Sequence, residues 1–193
     1  ESRTPLTIIR GAIDRISAQG DIPGTLRQPI NSMQKSTDRM LRLVNELLEF
    51  RKIQNHQLRL QLEETDVVEF LRSIFLTFNE TAENRQISYN FTTFAREYRM
   101  FIDRNYVDKM AYNLLSNAFK YTTRKQSITM RVSLGDNRLV FAVEDTGIGV
   151  PKEKQSKLFT RFDQSAFSRE SIGIGLHMVK QYVVMHGGTI EVR

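Results

Sequence analysis

Between Thr25 and about Gln61 the chain has no glycine and, apart from Pro29, no proline, while apolar residues fall at Ile30, Met33, Met40, Val44 and Leu47. That alternation of threes and fours predicts a long helix with a coiled-coil seam, and Leu41 and Leu48 widen the seam toward the broader stripe of a bundle. Residues 1 to 19 predict a second helix with Leu6, Ile9, Ile13 and Ile16 along one side, and the breaker-rich GDIPG at 20 to 24 turns one helix into the other. Two helices alone bury too little apolar surface, so two copies are expected to combine into a four-helix homodimer. A coiled-coil spacer without chemistry is the competing account of this half.

After LQLEET the period changes. Asp66 followed by Glu69 predicts a capped start for a helix carrying Val67, Phe70, Leu71, Ile74, Phe75 and Phe78. Period two then sets in at Ile87, Tyr89 and Phe91, at Ile128, Met130, Val132 and Leu134, and at Leu139, Phe141 and Val143, the pattern of strands with one buried face. GDN at 135 to 137 predicts a hairpin turn between the last two. Helices are expected over about 104 to 121 and 174 to 186, with a short final strand in TIEVR. The fold class is therefore α+β: an antiparallel helical hairpin over 1–62, then a sandwich of mixed sheet and helices over 66–193.

Composition narrows the class without naming it. Of 193 residues, 40% are hydrophobic and 26% charged, the balance of a chain that builds a core. The net charge of +6 suits a polyanionic ligand, but Lys and Arg are interleaved with Asp and Glu, which argues against direct nucleic acid binding. The absence of cysteine excludes disulfides and Cys-ligated zinc and fits a reducing compartment. No stretch approaches the ~18 apolar residues of a membrane span, so no membrane contact is expected from these residues.

Three segments carry candidate chemistry. In YNLLSNAFKYT, residues 112 to 122, Asn113, Asn117 and Lys120 share one helical face, opposite Leu114, Leu115, Ala118 and Phe119. Carboxamide oxygens are hard ligands suited to magnesium and an ammonium neutralises polyphosphate, although a solvated stripe on an amphipathic helix would look the same. In VEDTGIGVP, residues 143 to 151, a strand ends in Asp145, followed by Gly147 and Gly149, which let backbone approach a flat ligand; a plain turn is the alternative. In SIGIGLHMVKQYVVMHGG, residues 171 to 188, Gly173 and Gly175 immediately precede a helix, whose first amides favour anions.

In combination these segments are more specific. Asn113, Asn117 and Lys120, then Asp145, Gly147 and Gly149, then Phe159 and Phe162, then Gly173 and Gly175 follow the order and spacing of the ATP-binding domain of sensor histidine kinases, which residues 66 to 193 resemble. The hairpin resembles the dimerisation and phosphoacceptor domain that precedes it in that family, so the resemblance spans essentially the whole chain. It implies a Bergerat-type ATP fold, with adenine held by Asp145 and lined by Gly147, Ile148 and Gly149, and Mg2+ on Asn113 and Asn117. Lys120 and Tyr121 would flank the nucleotide, Gly173, Gly175 and Leu176 would meet it at the last helix, and a lid between Phe162 and Gly173 would cover the phosphates, with Arg161 a phosphate contact. Relatives that hydrolyse ATP, such as gyrase and the Hsp90 chaperones, carry a water-activating glutamate at the place of Asn113; its loss favours transfer over hydrolysis.

The first residues, ESRTPL, then resemble the family's His-Glu-x-x-Thr-Pro-Leu box without its histidine, which is expected immediately before Glu1. Glu1 would polarise the imidazole, Thr4 would orient water for dephosphorylating a partner, and Pro5 would bend the helix. A helix start with Ser2 or Thr4 capping before proline is the plainer alternative. Two departures stand out: Ser171 occupies the place of the first lid-helix glycine, and the strand that usually completes the sheet falls beyond Arg193. His56, His177 and His186 lack the Glu-x-x-Thr-Pro context and metal-site spacing, and surface or cap roles are expected for them.

What the resemblance implies is the kinase core of a two-component sensor, free-standing or hybrid, on the cytoplasmic side of a membrane-anchored parent. It would use magnesium ATP to phosphorylate a histidine and then an aspartate on a response-regulator receiver domain. A nucleotide-dependent interaction module without phosphoryl transfer, and an ATPase of the gyrase kind, are the competing classes; Asn113 argues against the latter.

Overall fold

The computed structural model describes residues 3–18, 22–55, 58–135, 138–160 and 174–193, in two compact units, 1–58 and 59–193. In the first, α1 (Arg3–Ala18) and α2 (Gly24–Gln54) pack on each other. Ile13, Thr37 and Phe50 are buried, and the Thr37 hydroxyl donates to the Met33 carbonyl at 2.9 Å, so this β-branched polar side chain is satisfied inside its own helix. Polar contacts fix the helix pair: Arg10 meets Asp38 at 3.2 Å, and the Gln34 amide donates to Asp14 at 2.9 Å. Of the predicted seam residues, Met33, Met40 and Leu47 are 55%, 54% and 47% exposed while Ile30 and Val44 are half-buried, so within one chain part of the seam has no cover. Pro5 lies in the first turn of the described helix, and the carbonyl that it would leave without a donor, that of residue 1, lies outside the described residues.

Helix α2 stops at Gln54 rather than near Gln61. Leu58, Leu60 and Leu62 alternate, and the Gln61 amide donates to Asp103 Oδ2 at 2.8 Å, which draws this segment out of helix and into the second unit. There β1 (Glu63–Asp66) pairs antiparallel with β3 (Arg99–Ile102). Between them lie α3 (Val67–Leu76), α4 (Asn79–Arg85) and β2 (Ser88–Thr93). After β3 follow α5 (Arg104–Tyr121), β4 (Ser127–Gly135), β5 (Arg138–Asp145), the short α6 (Lys152–Gln155) and α7 (Gly175–Met185). The main sheet has the order β2-β4-β5, with β2 parallel to β4 and β4 antiparallel to β5.

The capped start of α3 is as expected, and more heavily used: Asp66 Oδ1 accepts from the amides of Val68, Glu69 and Tyr98 at 3.1, 3.4 and 3.2 Å. One face of β4, Ile128, Met130 and Val132, is buried, as are Val67, Leu71, Leu115 and Val179 from the helices. Each such side chain contributes about 1.5–3 kcal/mol of transfer free energy. Aromatic rings pin the layers: Phe75 stacks on Tyr89 at 3.8 Å, and Tyr106 of α5 on Tyr182 of α7 at 4.7 Å.

One predicted strand is absent. Thr189–Arg193 takes no ladder partner among the described residues, and without a paired edge its alternation does not make a strand. The hairpin turn predicted at 135–137 is framed by the pair Gly135↔Arg138; residues 136 and 137 lie outside the described residues.

Candidate functional site

Helix α5 begins on Asp103, whose Oδ1 accepts from the Tyr106 amide at 3.1 Å, and runs to Tyr121 without a breaker. Leu115, Ala118 and Phe119 are buried and Leu114 half-buried, which leaves Asn113, Asn117 and Lys120 half-buried along the other side. Asn113 Nδ2 donates to the Lys109 carbonyl at 2.9 Å, so its Oδ1 faces the opposite way. There it meets the start of α7: a Cβ on Gly175 would lie 2.8 Å from Asn113 Oδ1. A hard oxygen is thus presented beside a helix N-terminus, an arrangement that fits a magnesium ion with its phosphates. Lys120 lies on the same face, its Nζ 5.3 Å from the centre of the Tyr121 ring.

The second wall is the loop after β5. Gly147 is seated where no other residue fits: a Cβ there would lie 2.3 Å from the Tyr121 carbonyl oxygen and 2.7 Å from Asp145 Oδ1. Its amide donates to Asp145 Oδ1 at 2.9 Å, and the Ile148 amide reaches the Tyr121 carbonyl at 3.4 Å. Gly149 has φ +69°, the left-handed conformation that glycine adopts without strain. Ile148 projects outward, 63% exposed, as an apolar surface beside the carboxylate. The neighbouring Glu144 is committed elsewhere. Arg131 donates to both its oxygens, at 3.2 and 3.1 Å, and holds its carboxyl below the ordinary value, so Asp145 is the carboxylate left to a ligand.

Helix α7 is fixed at both ends. His186, its C-cap, bonds the Tyr182 carbonyl through Nδ1 at 2.7 Å, and its Nε2 accepts from the Asp103 amide at 3.3 Å, which puts the proton on Nδ1. This is the cap role expected for His186, extended by a bridge to α5. His177 differs from expectation: it is buried, and its Nδ1 bonds the Phe159 carbonyl at 3.2 Å. Its place two residues after Gly175 on the buried side of α7 explains this, because only a side chain reaching inward can meet residue 159.

The structure therefore brings together Asn113 with Gly175, and Tyr121 with Gly147 and Ile148, with Asn117 and Lys120 on the same helix and Leu176 half-buried next to Gly175. Thr4 is exposed in the first turn of α1, in the other unit. Glu1, Arg161 and Gly173 lie outside the described residues, as do Phe162, Ser171 and His56. The Lys109 carbonyl and Thr146 were not singled out from sequence; of these only Thr146, a short polar residue between Asp145 and Gly147, carries a signal that sequence could have yielded. Among the described residues no helix is long and apolar enough to cross a membrane, and no trio of His, Cys, Asp or Glu is placed to hold a metal ion.

Comparison with known proteins places this geometry. Residues 1–56 match the His Kinase A (phospho-acceptor) domain, and residues 102–193 match the Histidine kinase-, DNA gyrase B-, and HSP90-like ATPase family. Histidine kinase P4 of Formosa agariphila is 32% identical over 99% of this chain, which spans 14% of that protein. Among solved structures, full-length ShkA in complex with AMPPNP superposes with a TM-score of 0.82 at 25% identity, over 98% of this chain and 40% of that one. Histidine kinase ThkA in complex with the response regulator TrrA gives 0.62 at 27% identity, over 90% of this chain and 49% of that one. The chain thus spans less than half of each of these relatives. With a phospho-acceptor hairpin and an ATPase-like unit in that order, it belongs to the sensor histidine kinases and has the makeup of their kinase core.

Proposed function

We propose that this chain binds magnesium ATP between α5, the 145–149 loop and the start of α7, and directs the γ-phosphoryl group to a histidine encoded immediately before Glu1. The observation that carries the reading is the orientation of Asn113, its amide nitrogen tied to Lys109 and its oxygen turned to Gly175. Asp145 accepts from the exocyclic amine of adenine, with Gly147, Ile148 and Gly149 against the ring. Asn113 and Asn117 would hold the magnesium ion, which supplies charge neutralisation at the phosphates. Lys120 and Arg161 add positive charge, Tyr121 flanks the nucleotide, and Gly173, Gly175 and Leu176 bring backbone amides toward the phosphates.

In the transfer, the neutral imidazole nitrogen forms the new N–P bond as the β,γ-bridging O–P bond breaks and ADP leaves. Glu1 takes the hydrogen bond of the other ring nitrogen and balances the imidazolium charge. The phosphoryl group then passes to an aspartate of a response regulator, and Thr4 orients water for the separate hydrolysis of that aspartyl phosphate to carboxylate and inorganic phosphate. The ThkA complex with a response regulator supports that partner, and the uncovered seam of α2 supports a homodimer through the hairpin. In this reading residues 1–62 are the dimerisation and phosphoacceptor module, residues 66–193 the catalytic module, and both work on the cytoplasmic side of a membrane-anchored sensor.

The test is incubation of the chain, extended by its native preceding residues, with γ-labelled magnesium ATP. A protein-bound label that is lost in acid and retained in base is expected. An acid-stable label would assign the transfer to Ser or Thr, and nucleotide binding with no label at all would assign an interaction module. Asn117→Asp is expected to abolish magnesium-dependent nucleotide binding, and retained affinity would remove Asn117 from the site.

A further inference from the structure

The β4/β5 ladder ends in an unusual way. Its last strand pair is Ile128↔Asp145, and the next rung begins normally, with the Thr146 amide donating to the Ser127 carbonyl at 3.0 Å. In an antiparallel pair that exchanges both bonds, the Ser127 amide would return to the Thr146 carbonyl. Instead it donates to the Thr146 side chain, Oγ1, at 2.9 Å, with Ser127 Oγ 3.4 Å from the same atom. The hydroxyl stands in for the residue's own carbonyl and completes the rung.

This substitution has a geometric result. With its carbonyl freed from the ladder, the chain turns out of the sheet one residue after Asp145, which is what places the Gly147 amide on Asp145 Oδ1 at 2.9 Å and the Ile148 amide on the Tyr121 carbonyl. Asp145 is then held on one side by the sheet and on the other by its own loop. Among the described residues its Oδ2 takes no hydrogen bond, and this oxygen is free to accept from a base.

We infer that Thr146 is a positioning residue for nucleobase selection: its hydroxyl, by closing the Ser127 rung, sets the Asp145 carboxylate for an exocyclic amino group and against a ring carbonyl. The inference rests on the assignment of Asp145 to adenine. Adenine offers an amine donor at that edge where guanine offers an acceptor, so a well-fixed carboxylate discriminates between them and a loosened one does so less. Threonine is not the only residue able to do this; serine and asparagine also carry a short side-chain acceptor, whereas valine has the same shape without one.

The experiment compares the full chain with its Thr146→Val, Thr146→Ser and Thr146→Asn variants, titrated with ADP and GDP by calorimetry in magnesium buffer. Thr146→Val is expected to weaken ADP binding about three- to tenfold, the range of one net hydrogen bond, with little change for GDP. The ADP over GDP preference should fall by the same factor, and the Ser and Asn variants should restore it. A purely strand-terminating role would lower thermal stability with the preference unchanged, and that outcome overturns the inference. Should Thr146→Val fail to fold, equal ADP over GDP preference in Thr146→Ala and Thr146→Ser would overturn it as well. Asp145→Asn is the companion measurement. If it leaves ADP affinity intact, the assignment of Asp145 has failed; if it abolishes ADP binding while Thr146→Val behaves as wild type, only the role of Thr146 has.

Discussion

The Asn113 side-chain oxygen occupies the space that a Cβ on Gly175 would need, 2.8 Å from it. The obstructed atom is the end of a side chain, so Gly175→Ala is accommodated by rotating Asn113 away. Stability should change little, since Gly175 is the first residue of α7, where alanine gains less over glycine than the ~1 kcal/mol of a helix interior. Magnesium-nucleotide affinity should drop by about tenfold or more, a cost of about 1.5–3 kcal/mol for a lost contact to a charged group. Paired melting and nucleotide titrations would check this split.

Gly147→Ala is expected to cost stability as well as binding. The atom in its way, 2.3 Å from the added Cβ, is the backbone carbonyl of Tyr121, which cannot move without the end of α5. A loss of about 2–3 kcal/mol in unfolding free energy is expected, measurable by urea titration, together with loss of nucleotide binding.

Met40 and Leu47 stand on the uncovered seam of α2. Met40→Glu combined with Leu47→Glu should convert a dimer to a monomer in light scattering. Val140→Glu, at a position on β5 that is 59% exposed, should leave the dimer intact.

Tyr89, half-buried against Phe75, is a pH-sensitive side chain. Its hydroxyl donates to the Phe75 carbonyl at 3.0 Å, and burial raises its pKa above the ordinary 10.0. A raised acid pKa means that the folded state favours the protonated form, so this contribution is complete below pH 10 and is lost as pH rises beyond it. Stability should fall between pH 9.5 and about 11 more steeply in the wild type than in Tyr89→Phe, which gives up about 1 kcal/mol at neutral pH. Urea midpoints across that interval would measure both effects.

Much of the site could be read from sequence because its residues are spaced by their elements. Asn113, Asn117 and Lys120 are a helical period apart, and Asp145 closes a strand whose alternation is plain, so their faces followed from period alone. Where the period was ambiguous the reading slipped. The stretch before Gln61 has no glycine or proline to stop a helix, while Leu58, Leu60 and Leu62 alternate with period two, and the capture of the Gln61 amide by Asp103, 42 residues away, goes with the extended chain. The strands β1 and β3, EETD and RMFI, and the polar helix α4 are stabilised by pairing and by single buried residues such as Thr65, Ile102 and Ala82, too few to leave a periodic signal. The burial of His177 depends on the carbonyl of Phe159, a main-chain partner that no side-chain pattern announces.

Helices α5 and α7 are tied near their ends, Asp103 to His186 and Asn113 beside Gly175, with Tyr106 stacked on Tyr182 between. Counted along each chain, the two end points are ten residues apart on α5 and eleven on α7, roughly 15 to 17 Å at 1.5 Å per residue. The two helices act as rulers of matched length, one end zeroed by a histidine and the other read out at the Asn113 carboxamide. Adding or removing one residue in either ruler would shift Gly175 by about 1.5 Å and turn it by about 100°, so the length of this interval is itself part of the binding chemistry.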